Sequence, residues 1–216
     1  MNGGCMLQTI VTRRNITNIY HFTKISNLQS ILKNGILPRN FLEYNKIHFS
    51  FNDQVRADNR VDCSSFSISH PNYKMFYPCR LNDPSSDWAV LSFNPSIIWE
   101  KNSLFYPTNA ANNTERFRPE NEHQGIVALE AMFAEREGLP TRIIRDLKNN
   151  EPSDVQAEVM IEGSIEPKYI TNVFVDELTK IKNLDNIKTI VQQNPNFSFY
   201  HYGSLFYPRH DYKHLR

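Results

Sequence analysis

In the stretch "SDVQAEVMIEG" (residues 153–163), Val155, Ala157, Val159 and Ile161 alternate with more polar positions, the period of a pleated strand with one apolar face. Gln156, Glu158, Met160 and Glu162 share the other face. A carboxylate at the middle of that face, directly after the polar run "DLKNNEPSD" (146–154), has two readings. It belongs to a solvated strand face, or it is a catalytic glutamate at the mouth of a cleft.

Outward from that strand, "YITNVFVDE" (169–177) repeats the alternation through Ile170, Val173 and Val175. "NITNIYHFT" (15–23), "CSSFSIS" (63–69), "WAVLSFNP" (88–95) and the segment 103–106 also read as strands. Helices are fewer. "KISNLQSILKNGILP" (24–38) carries Ser26 and Gln29 as a capping box, Leu28, Ile31 and Leu32 as a buried stripe, and Gly35 with Pro38 as a stop. "HQGIVALEAMFAEREG" (123–138) predicts a helix with Ile126, Leu129, Met132 and Phe133 on one side, and "LDNIKTIVQQNPN" (184–196) another. Pro71 and Pro78 bound a very short helix or turn, and 41–62 reads as loop with one helical turn. Strands do not alternate regularly with crossover helices, so the fold class is α+β with a largely antiparallel or mixed sheet.

With 216 residues the chain suits one domain, with a core over about 16–176 and a C-terminal helix and tail over 177–216. A net charge of +1 gives no overall field for a polyanion, so nucleic-acid contact would have to come from local patches. Three cysteines without a C-x-x-C pair point to neither a disulfide framework nor a zinc site. Of the seven histidines only His210 and His214 have ligand-like spacing, and no metal is expected. Glycine-rich phosphate loops are absent. With no signal sequence and no apolar run of membrane length, a cytoplasmic protein without a membrane partner is expected.

Several residues carry two readings. His21, between Tyr20 and Phe22 at a strand end, is a structural histidine or a ligand. Arg56, Arg60 and Asp62 lie in a polar loop, and Lys74 and Arg80 flank aromatics that suit a nucleobase platform or a core edge. Arg142, Arg145 and Lys148 form a basic edge before Glu158, a phosphate contact or a solvated face.

In this order, "IYHFTKISNLQSILKNGIL", "NRVDCSSFSISHPNYKMFYPCR", "WAVLSFNP" and "QAEVMIEGSIEPKYITNVFV" resemble the DarT family of bacterial DNA-base ADP-ribosyltransferase toxins, over about residues 16–176. The resemblance implies an ADP-ribosyltransferase fold, a split mixed sheet with flanking helices around an NAD+ cleft. The reaction implied is transfer of ADP-ribose to a nucleobase of single-stranded DNA with release of nicotinamide. It assigns His21, Thr23 and Asn27 to NAD+, Arg60 to the reacting base with Arg56 as the alternative, and Glu158 to catalysis. Ser69, Tyr73, Phe76 and Tyr77 join the NAD+ set, one of the aromatics stacking on nicotinamide or on the base. Gln156, in a Q-x-E spacing, helps select the acceptor, and the loop before it lets a DNA strand meet Arg142, Arg145 and Lys148. The segment "SISHPNYKMFYPCR" resembles one branch of the family and differs from that of the thymidine-modifying members, which leaves thymidine, guanosine and RNA bases open. A macrodomain-type antitoxin is the implied partner. The alternatives are the same chemistry on RNA or protein, or a catalytically silent nucleic-acid-binding module, against which Glu158 argues.

Overall fold

The structure is a computed structural model that describes residues 3–50 and 59–215. In chain order the elements are helix α1 (Gly3–Arg13), strand β1 (Ile19–Lys24), α2 (Ile25–Asn34), α3 (Arg39–Tyr44), β2 (Cys63–Ile68), α4 (Tyr73–Asn82) and β3 (Trp88–Phe93). They continue with α5 (Ile97–Glu100), β4 (Ser103–Tyr106), α6 (Gly125–Ala131), β5 (Glu158–Glu162), β6 (Ile170–Val175), α7 (Leu184–Gln193) and β7 (Ser198–His201). The strands form one open sheet in the order β4-β5-β2-β1-β3-β6-β7, antiparallel at every pairing except β6 with β7. This mixed sheet with flanking helices is the α+β architecture expected from the alternating runs.

Pairing along β1 is lopsided. All six residues of β1 pair with β3, from Ile19↔Phe93 to Lys24↔Trp88, whereas only Ile19↔Ile68 and Tyr20↔Ser67 pair with β2. Beyond Tyr20 the two strands part, and the sheet is split at its centre.

Strand alternation sorts the side chains. Ile19, Leu91, Phe93, Val159, Ile161 and Val173 enter the main core, which the helices cover with residues such as Ile10, Leu28, Leu129 and Ile187. On the opposite face two smaller clusters flank the split. Cys63, Leu104, Tyr106 and Met160 pack on one side, and Phe76, Trp88, Val90 and Phe206 on the other. Burying side chains of this size is worth about 1.5–3 kcal/mol each, so both faces hold the divided sheet together.

Four local readings change. β5 begins at Glu158, and residues 153–157 form bends and turns leading into it. Ser26 does not cap α2, because β1 runs straight into the helix. Lys24 is the capping position without a side-chain bond, and the Ser26 hydroxyl donates to Ser50 Oγ instead. Pro78 lies inside α4, a ten-residue helix capped by Asn72. The helical hydrogen bond that Pro78 forgoes is offset by Phe76, stacked on Phe22 at 4.5 Å and packed against Trp88 and Phe206. α6 is seven residues long, shorter than the expected span 123–138.

The loop 141–157 is fastened from the C-terminal segment. Arg145 Nε and Nη2 donate to Asp211 Oδ2, Arg209 Nε and Nη2 donate to both oxygens of Asp211, and Arg209 Nη1 donates to the Pro152 carbonyl. All three side chains are essentially inaccessible, at 1%, 2% and 0%. Burial alone would raise the Asp211 carboxyl; hydrogen bonds and charge from Arg209, then Arg145, more than reverse this and hold it at about 2.

Gly35 closes α2 with φ +82°, and an alanine Cβ there would run into the Ile165 carbonyl. Gly35→Ala is expected to cost at least the roughly 1–3 kcal/mol of a strained backbone position, read as a lower midpoint in denaturant unfolding. Because the folded-state pKa of Asp211 is depressed, its stabilisation is fully present above the unfolded value of about 3.9 and is lost as pH falls toward about 2. Asp211→Asn is expected to flatten the acid limb of stability across that window in a pH series of melts.

Candidate functional site

Where β1 leaves β2 a cleft of about 300 Å³ opens, floored by the ends of β1, β2 and β5 and walled by α2 and the start of α4. Into it come His21, Asn27, Arg39, Asn72, Asn109 and Glu158. This places His21 and Glu158, far apart in the chain, in one cavity.

The ring of His21 spans the split: Nδ1 lies 2.9 Å from the Ser65 carbonyl. A carbonyl oxygen only accepts, so Nδ1 carries the proton of this bond. Phe66 packs against the imidazole with centroids 5.5 Å apart. Two residues on, Thr23 is buried and its Oγ1 accepts from Asn27 Nδ2. Asn27 also donates to the Ser50 carbonyl and accepts from the Ser50 amide, both at 2.8 Å. Thr23 and Asn27 therefore build the wall by pinning the chain at Ser50.

Glu158 is 5% exposed. It opens β5 opposite Tyr106 of β4, and its Oε1 accepts from Asn109 Nδ2 at 3.3 Å. Asn109 is itself oriented, because its Oδ1 accepts from the Ala111 amide at 2.8 Å. The carboxylate is thus held from the loop after β4, in a site where an ion interacts more strongly than in water.

Arg60 stands beside the cleft, bonded to Cys63 Sγ at 3.2 Å, to both oxygens of Asp62 and to Glu120 Oε2 at 2.6 Å. Burial would lower its pKa, but the Asp62 hydrogen bond and the carboxylate charges of Asp62 and Glu120 raise it above the ordinary arginine value. Proton abstraction by a guanidinium needs a depressed pKa, and these surroundings shift it the other way. Arg60 remains a fixed cation. Burial likewise pushes the Cys63 thiol, on the cleft lining, up to about 12.

Other sequence-derived candidates lie elsewhere. Phe76 is 1% exposed in the aromatic cluster and offers no face to a ligand. Tyr77 is exposed beside Arg80, Lys180 and Trp88 in a second depression. Tyr73 meets His70 edge-on at 6.5 Å, and its phenol is raised by burial and by Asp211. From this segment it is Asn72 and Met75 that line the cleft. Ser69, at φ 63°, donates to the Asn150 carbonyl at 2.6 Å. Gln156 occupies the turn before β5, its amide bonded to Asp154.

The basic edge turns mostly inward. Arg145 is bound to Asp211 and cannot meet a strand of nucleic acid from that position. Arg142 donates to the carbonyls of Glu151 and Lys148 and to Ser153 Oγ, stapling its own loop. Lys148 is exposed. Arg56 lies outside the described residues. Asn109, Asn72 and Arg39 were missed by pattern reading: each sits in or beside irregular chain with no periodicity, and only the fold brings it to Glu158. Among the described residues, no three His, Cys, Asp or Glu side chains are grouped to hold a metal ion, and no helix is long and apolar enough to cross a membrane.

Comparison with known proteins gives the chain its relatives. No curated protein matches its sequence. Among solved structures, Thermosipho africanus DarTG in complex with ADP-ribose aligns with a TM-score of 0.62 at 17% identity over 88% of this chain, which spans about half (51%) of that protein. Thermus sp. 2.9 DarT aligns in its complex with ADP-ribosylated ssDNA (TM-score 0.57, 17% identity, 89% of this chain and 97% of that one). It also aligns in its complex with NAD+ (TM-score 0.55, 18% identity, 89% and 98%). These likenesses establish the fold. A family model described as "ssDNA thymidine ADP-ribosyltransferase, DarT" matches residues 20–207, and with nearly the whole sheet inside that match the chain belongs to the DarT family of ADP-ribosyltransferases.

Proposed function

We propose that this chain binds NAD+ in the split of its sheet and transfers ADP-ribose to a nucleobase of single-stranded DNA, releasing nicotinamide. The observation that carries the proposal is Glu158, buried at the start of β5 in the same cleft as His21 and held by Asn109. The Thermus relative's complexes with NAD+ and with ADP-ribosylated ssDNA support the two reactants.

In this reading His21 bonds a ribose hydroxyl of the adenosine, and Thr23 with Asn27 holds the wall behind it. The glycosidic bond between nicotinamide and ribose breaks with its electron pair leaving on nicotinamide, and positive charge develops on the ribosyl carbon and ring oxygen. Glu158 accepts the hydrogen bond of the ribose 2′-hydroxyl and stabilises that charge through it. A nucleobase ring nitrogen then bonds to the ribosyl carbon and loses a proton to solvent. Arg60, permanently cationic, serves as a counter-charge for phosphate or for the developing base anion. Thymidine, the base in the family's description, is the first acceptor to test. The chain acts as the toxin of a toxin–antitoxin pair, with a macrodomain-type antitoxin removing the modification.

The direct experiment incubates labelled NAD+ with separate pools of single-stranded DNA, RNA and protein. Label is expected on DNA alone; label on RNA or protein alone would replace the acceptor, and label on none would end the transferase reading. Glu158→Ala is expected to lower the rate by about 10²–10³-fold, with a wild-type rate refuting the assignment. Asn109→Ala is expected to lower kcat roughly ten-fold through a misplaced carboxylate, with KM for NAD+ nearly unchanged in steady-state kinetics.

A further inference from the structure

Asn72 has a spare donor. Asn72 is 3% exposed and its side chain caps α4: Oδ1 accepts from the Met75 backbone N–H at 3.2 Å, while the Asn72 backbone N–H donates to Ser67 Oγ at 3.1 Å. These bonds settle which way the carboxamide faces, since only its oxygen can accept from a backbone N–H. Among the described residues Nδ2 is left buried without a hydrogen-bond partner. Buried polar groups are nearly always satisfied, and one that is not calls for a partner that binds there. The residue lines the cleft shared by Glu158 and His21.

Other positions on this wall are already committed. Asn27 spends its carboxamide on Thr23 and Ser50, and Asn109 on Glu158 and Ala111. A neutral N–H donor in such a place suits a neutral, planar acceptor. Both reactants bring one: nicotinamide carries a carboxamide oxygen, and a nucleobase such as thymine or guanine carries an exocyclic carbonyl.

We infer that Asn72 is a specificity-determining residue whose Nδ2 donates to a carbonyl oxygen of a bound reactant, either the nicotinamide carboxamide or the acceptor base. The inference rests on the transferase reading above and adds a contact that neither the alternating strands nor the family match assigns. The helix cap and the ligand contact use opposite ends of one carboxamide, so they can be separated. Asn72→Asp keeps an oxygen for Met75, a favourable charge at a helix N-terminus, and the side chain's shape. It replaces the donor with a second acceptor, which faces the ligand carbonyl lone pair to lone pair.

The test uses the full chain, with wild-type transfer and wild-type NAD+ binding established first. Failure at that step removes the transferase reading and is distinct from failure of Asn72. For Asn72→Asp the buried carboxylate is expected to lower the melting temperature without preventing folding, while one binding constant weakens by at least about ten-fold, the loss of a buried hydrogen bond and more. A higher NAD+ Kd with an unchanged oligonucleotide KM assigns nicotinamide; a higher oligonucleotide KM with an unchanged NAD+ Kd assigns the base. Both constants unchanged in a folded Asn72→Asp would overturn the inference. Should that variant not fold, Asn72→Ser provides another good cap whose side chain is too short to reach, and the same two constants decide.

Discussion

The site depends on a pairing that is not completed. β1 commits all its residues to β3 and only Ile19 and Tyr20 to β2. A central strand that leaves one neighbour exposes backbone groups that must find other partners. At Ser65 that partner is a side chain: the imidazole of His21 donates to its carbonyl and closes the ladder across the gap. The same bond fixes how the ring lies, so repair of the sheet also sets the imidazole's place in the cleft. The structural side of the two readings of His21 is thus visible in the fold, and the ligand-binding side belongs to the proposed reaction.

Around this gap the charges are arranged by burial and pairing. Glu158 is enclosed and held by a carboxamide. Arg60 is surrounded by carboxylates that keep it cationic, and Asp211 is held ionised between two arginines. Glu158 meets Asn109 across 49 residues, Arg60 meets Glu120 across 60 and Asp211 meets Arg145 across 66, so each of these charges is held from a distant segment. The loop before β5 has no regular structure, yet its shape follows from the inward turn of Arg142 and Arg145 and from Arg209 on the Pro152 carbonyl.

The strands were legible because their alternation is local. Val159 and Ile161 against Glu158 and Met160 require only that one face be buried, and the fold puts the first pair in the main core and Glu158 in the cleft. The split was not legible, since nothing within "IYHFT" tells that β2 accompanies it for two residues only. Arg145 read as surface because its partner, Asp211, is 66 residues away. Asn72 and Asn109 lie at a helix start and in a loop, where asparagine is common for local reasons and their aim depends on tertiary structure. Phe76 and Pro78 misled together: a proline taken as a boundary made the aromatics look like a loop platform, whereas packing of Phe76 carries the helix through it.

The thiol of Cys63 sets a limit on what the cleft can do to itself. A pocket that generates an electrophilic ribosyl carbon is exposed to capture by its own lining. Here that lining includes six serines (Ser26, Ser30, Ser50, Ser64, Ser65 and Ser67) and one cysteine. The sulfur, with its pKa near 12, stays protonated at neutral pH, and a thiol is a far weaker nucleophile than a thiolate. Unactivated hydroxyls are weaker still. In the proposed reaction the wall is therefore a poor acceptor, and the electrophile survives for a nucleophile delivered from outside.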